Sequence, residues 1–166
     1  MKRVAAALAG LAAVLVTATA AADIQPPIKP MPPARSGDDL TVKLSSHQAG
    51  AKAVTLTLTY PAMLQCGRPR AAAGIHLPAS VPLPSKIAAS DVRMNGHLVA
   101  SVVIRKHVLT VTAPRLTGMI CDSITTGKVT LIVGAGARIA NPARAGTYTA
   151  SVVTAGSVHS GTYTVS

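Results

Sequence analysis

The stretch RIANPARAGTYTASVVT, residues 138–154, sets an Asn-Pro break and an Ala-Gly step in front of an alternating run from Thr147 to Thr154. Asn141-Pro142 reads as the end of one strand, because proline fixes φ and offers no N–H to a ladder. Gly146 reads as the residue that lets the chain reverse, and Tyr148 as the first large side chain of the next strand. The stretch holds no acid, Cys or His. It therefore reads as a corner in a β fold rather than a reactive loop, with Lys128 to Val133 and Thr147 to Val153 expected as antiparallel neighbours across it.

Period-two alternation recurs on both sides of this corner. AVTLTLTY, residues 53–60, puts Val54, Leu56, Leu58 and Tyr60 on one face and Thr55, Thr57 and Thr59 on the other, as a half-buried strand requires. LTVKL at residues 40–44 precedes it across a turn containing Ala49-Gly50. Asn95-Gly96, within Met94 to His97, accepts positive φ at both turn positions and should join Val92-Arg93-Met94 to Leu98-Val99-Ala100. SVVIRKHVLTVTAP, residues 101–114, reads as a second hairpin broken at Arg105-Lys106-His107. The echo of AGTYTASV (145–152) in SGTYTVS (160–166) reads as a closing hairpin rather than a duplicated domain. Prolines at 61, 69, 78, 82 and 84 exclude a long helix from the middle, leaving short edge strands, loops and at most one helical turn ahead of Asp91. The pattern predicts an all-β, immunoglobulin-like antiparallel β-sandwich of seven to nine short strands.

The chain begins with Lys2 and Arg3, an apolar run from Val4 to Val16 and a small-residue stretch, which is the layout of a secretory signal over residues 1–22. The apolar run falls short of the ~20 residues of a spanning helix, so no membrane span is expected after signal removal. Residues 23–39 carry five prolines in 17 positions and read as a linker, with the sandwich domain at 40–166. In an exported chain, Cys66 and Cys121 read as a disulfide closing a loop of some 55 residues, a constraint of about 4 kcal/mol on the chain-entropy model.

Composition narrows the function classes. There is no Trp, Phe or Glu and there are three Tyr, so the core must come from Val, Leu, Ile, Ala and Met. Sixteen Lys and Arg oppose five Asp, and the mature chain, less Lys2 and Arg3, carries about +9. Such a charge either draws the chain to polyanions outside a cell, namely anionic wall polymers, lipid headgroups or released nucleic acid, or serves only to keep it soluble. With almost no aromatic residues on which bases could stack, no specific nucleic-acid binding is expected. Paired-carboxylate hydrolysis lacks acids: Asp91 and Asp122 are the interior ones, and each suits a turn or cap. GSVHSG (156–161) gathers Ser157, His159 and Ser160, yet reads as an exposed turn between strands. His47, His76, His97, His107 and His159 match no compact zinc spacing, and GAGA (134–137) lacks the ending of a phosphate loop. No enzyme, metal or cofactor is expected.

DVRMNG (91–96), LTVTAP (109–114), KVTLIV (128–133) and the 138–154 stretch together resemble small immunoglobulin-like domains of exported and surface-layer-associated Gram-positive proteins. With QCGRPR (65–70) and GMICDSITTGKV (118–129), the chain looks like secreted proteins of high-GC actinobacteria. The resemblance implies a β-sandwich with no catalytic set. The expected function is an exported, non-enzymatic module at the cell envelope, in contact with anionic wall polymers or another envelope protein. The alternative is an extracellular module binding sugar or protein through loops such as Met94 to His97.

Overall fold

The computed structural model describes residues 35–62, 72–114, 127–154 and 157–166, with backbone alone for 35–37. All lie in one compact unit, Met31–Ser166. The chain forms β1 (Arg35–Gly37), β2 (Thr41–Leu44), β3 (Leu56–Tyr60), β4 (Ala72–His76), β5 (Val92–Met94), β6 (His97–Leu98), β7 (Ser101–Arg105), β8 (Val108–Thr112), β9 (Val129–Val133), β10 (Gly146–Thr154) and β11 (Ser157–Val165). One sheet has the order β1-β11-β10-β4-β8-β7 and the other β2-β3-β9-β5-β6. Every pairing is antiparallel except β1 with β11. This is an all-β, immunoglobulin-like sandwich. Eight of its eleven described strands are four residues or longer; β1, β5 and β6 are shorter.

The alternation seen in sequence becomes the inner face. Leu56, Leu58 and Tyr60 of β3 and Val129, Leu131 and Val133 of β9 are buried against Ile75, Leu109, Val111 and Val152 of the opposite sheet. With no Phe or Trp available, β-branched and Leu side chains fill the space, a composition suited to a pleated surface. Burial pushes the phenols of Tyr60 and Tyr163 up from 10.0 to about 12, with neighbouring Tyr148 adding to the shift at Tyr163. The folded state thus holds protons that the unfolded chain releases near pH 10, and its stability should decline as pH rises from 10 towards 12. A denaturation series across that range, paired with ultraviolet titration of tyrosinate, checks this; a flat profile contradicts it.

Both hairpins form, with strand bounds that differ from the sequence reading: the strand after Asn95-Gly96 is His97–Leu98 rather than Leu98 to Ala100. Asn95 and Gly96 take φ of 48° and 84°, and Met94 pairs with His97. In the second hairpin the turn is Lys106-His107, at 47° and 65°, while Arg105 is still in β7 and pairs with Val108. The closing hairpin runs nine pairs, from Gly146 opposite Val165 to Thr154 opposite Ser157, and sets Tyr148 against Tyr163 at 5.8 Å between rings. The helical turn ahead of β5 is a 3₁₀ turn at Ala89–Asp91.

Four expectations are corrected. The strands flanking the 138–154 corner are not neighbours: β9 pairs with β3 and β5, whereas β10 lies in the other sheet between β11 and β4. Residues 134–145 are a crossover, beginning with a 3₁₀ turn at Ala135–Ala137 that ends on Arg138 at φ 55°. Gly146 does not reverse the chain; it is the first residue of β10. The proline-punctuated middle was expected to supply edge strands, yet proline-free β4 is internal, between β10 and β8. GSVHSG is no exposed turn, because Ser157–Gly161 belongs to β11 and His159 is buried.

Residues 35–37, within the stretch read as linker, form β1 along β11, since backbone pairing at a sheet edge asks little of side chains. Cys66, Cys121 and Asp122 lie outside the described residues.

Candidate outer-face site and its supports

The outer face of the five-stranded sheet carries two of the described cations, Lys43 and Arg93, within its strands. Register places Lys43 of β2 beside Thr57 of β3, then Ile132 of β9, Arg93 of β5 and Leu98 of β6, in one row across the sheet. A second row runs Thr41, Thr59 and Thr130. Lys128 is exposed at the entry to β9. None of the five strands contains an acid. Lys43 and Arg93 are three strands apart, about 14 Å at normal strand spacing, with hydroxyls between. An acid-free surface of cations and hydroxyls can take an extended polyanion, the cations by charge and the hydroxyls by hydrogen bonds to its oxygens.

The described acids, Asp38, Asp39 and Asp91, lie between strands instead. Asp91 closes the 3₁₀ turn before β5, and its backbone carbonyl accepts from Gly134 N at 2.8 Å. Asp39, between β1 and β2, accepts from His159 Nδ1 at 2.8 Å. His159 packs against Tyr60 with ring centroids 5.5 Å apart, and its buried Nε2 has no hydrogen-bond partner among the described residues. Nothing in the sequence signals this pair, because the two residues are 120 positions apart. The remaining histidines are scattered. His47 Nδ1 donates to Thr164 O at 2.7 Å, His107 Nε2 donates to Pro78 O at 3.0 Å, His76 is in β4 and His97 in β6. Among the described residues no three His, Cys, Asp or Glu side chains gather as metal ligands.

The turn residues singled out in sequence are structural supports. Asn95 N donates to Thr130 O at 2.8 Å, Thr130 N donates to Asn95 Oδ1 at 2.7 Å, and Arg93 Nη1 reaches Gly96 O at 3.0 Å. These bonds pin the β5–β6 hairpin to β9 and hold Arg93 at the outer face. Asn141 is buried and donates from Nδ2 to Ser46 O at 2.9 Å and Gln48 O at 2.8 Å, while Pro142 O accepts from Gly50 N at 2.9 Å. Tyr148 O–H donates to Arg144 O at 2.7 Å, four residues upstream. A tyrosine at the start of a strand bonding back to the backbone after a crossover is the tyrosine corner of immunoglobulin-like sandwiches. Between the sheets, Leu44, Val54, Leu77, Ile139 and Tyr163 line a cavity of about 10 Å³, room for one water at most.

No family model matches the chain, and no curated protein matches it. Among solved structures, the chain is similar to BslA, a bacterial hydrophobin, at 21% identity and TM-score 0.48, over 76% of this chain and 94% of that one. It is also similar to the N-terminal domain of the Streptococcus gordonii adhesin Sgo0707, at 8% identity and TM-score 0.47, over 77% of this chain and 32% of that one. Among the described residues no helix is long and apolar enough to cross a membrane.

Proposed function

We propose that this protein is an exported, non-enzymatic module of the cell envelope that adheres to anionic wall polymers through the outer face of its five-stranded sheet. The observation that carries the reading is the acid-free surface bearing Lys43, Arg93 and Lys128 among threonines, in a chain of formal net charge +11. The signal-like residues 1–22 support export. Binding of this kind is electrostatic, so it weakens with salt as the screening length falls from ~10 Å at 0.1 M to ~3 Å at 1 M.

The test is co-sedimentation with isolated anionic wall polymer across a salt series. Lys43→Glu with Lys128→Glu should weaken binding by about thirtyfold or more at low salt, at roughly 1 kcal/mol per basic residue lost from a face on an anionic surface. Lys86→Glu, an exposed cation outside these strands, should have a much smaller effect. Salt-independent binding, or equal loss from the Lys86 variant, would refute this role for the face. The reading in which the Met94 to His97 loop binds a sugar or protein gains no support, since Asn95 Oδ1 and Gly96 O are engaged within the sheet.

A further inference from the structure

A sandwich has four lateral edges, and three of these are guarded against strand addition by devices familiar in β proteins. β2 carries Lys43 within its four residues. β6 is two residues long. The β11 side is covered by the three-residue β1. The fourth edge, β7, is different. It is Ser-Val-Val-Ile-Arg, five residues with no proline and a single charge at its end, and among the described residues it pairs with β8 alone. Val102 and Ile104 face inward beside Val111 and Leu109 yet are only half-buried, and no strand lies beyond them among the described residues. Val103 faces outward and is 43% exposed. The other exposed large hydrophobic residue among those described, Leu98 at 49%, is on β6, which leads directly into β7.

We propose that β7 is a self-association edge, pairing antiparallel with β7 of a second copy about a two-fold axis at Val103. The register follows from the residues. Centred on Val103, the pairing sets Val103 opposite Val103, Val102 opposite Ile104, and Ser101 opposite Arg105. All five residues of β7 are then matched, and the half-buried Val102 and Ile104 each gain an apolar neighbour on the inner face. No like charges meet. Moving the centre to Ile104 would set Val103 against Arg105 and carry Lys106 opposite Val102 on the inner face. Moving it to Arg105 would set the two guanidinium groups against each other. The favoured register is thus the one in which charge and apolar matching agree, and it joins two six-stranded sheets into one of twelve strands. The contact is isologous and closes at two copies. An acidic or apolar strand from another protein could use the same ladder, but the self-match in SVVIR singles out a second copy.

Sedimentation equilibrium over a concentration series, on the mature protein and two variants, tests this. The wild-type chain should show a reversible monomer–dimer equilibrium. Val103→Lys places two ammonium groups directly opposite and should weaken the dimer by about tenfold or more. Ser101→Glu faces Arg105 of the other copy twice per dimer and should tighten it about three- to tenfold at low salt, a gain lost at high salt. A chain that stays monomeric throughout, or a dimer that neither substitution changes, would overturn the proposal.

Discussion

Gly161→Val should destabilise the domain by about 3 kcal/mol or more, because the added side chain has no room and its obstacle is backbone. Gly161 is in β11, where the chain between β1 and β2 crosses it. Leu40 N donates to Ser160 O at 3.1 Å, and a Cβ at Gly161 would run into the Leu40 carbonyl, with the carbonyl carbon itself only 2.9 Å away. The need for glycine here comes from this close approach. Relieving the overlap means lifting residues 38–40, which also carry the Asp39 bond to His159. Gly74 of β4 is the control. There a Cβ would meet Val108 at 3.7 Å and Val153 O at 3.8 Å, ordinary contacts, so Gly74→Ala should be neutral or slightly stabilising through reduced unfolded-state entropy. Urea unfolding of both variants decides the matter, and equal costs at the two sites would contradict the crowding argument.

Asn141→Ala should cost about 2–4 kcal/mol. The substitution removes two donors and leaves the carbonyls of Ser46 and Gln48 facing a buried methyl group. Asn141 is 4% exposed, so water cannot freely replace the amide. Its backbone N–H donates to Ala51 O at 2.8 Å in either case, which separates the side-chain effect from the path of the crossover. Asn141→Asp should be worse than alanine at neutral pH, since a carboxylate would point acceptors at acceptors in a buried place. If the two variants unfold at the same denaturant concentration, the amide's donors are not what holds the 46–51 loop to the crossover.

Both predictions concern residues whose structural role is not legible in the sequence. Asn141 was singled out, but for stopping a strand; its amide bonds reach 93 and 95 positions away. Gly161 stood in a segment read as a turn. The difficulty was the same each time. Glycine and asparagine are ordinary turn residues by local conformational preference, and nothing local distinguishes that use from close approach or from an internal hydrogen-bond clamp. His159 follows the same rule: an imidazole in a Gly- and Ser-rich stretch looks exposed until β1 and Asp39 are laid against it.

The cationic face was half legible. Lys43 and Arg93 each fall on the outward side of an alternating segment, so their exposure could be read directly. Their common row could not, because it depends on β9 lying between β3 and β5.

The alternation of Val, Leu and Ile with Thr, the Asn95-Gly96 turn and the repeated Gly-Thr-Tyr-Thr were enough to establish an all-β chain, the inner and outer face of β3, and two of its hairpins. These are properties of period-two geometry and of turns with positive φ, both written in neighbouring residues. Which strands became partners across a crossover was settled by the folded molecule. A twelve-residue link from Gly134 to Ala145 can return to the same sheet or pass to the other, and its local preferences suit either course. The passage to the other sheet brings Asn141 under the 46–51 loop, lets Tyr148 close its corner on Arg144, and leaves β9 paired on both sides. Those contacts join residues far apart in the chain, and their free energy exists only once both sheets are in place.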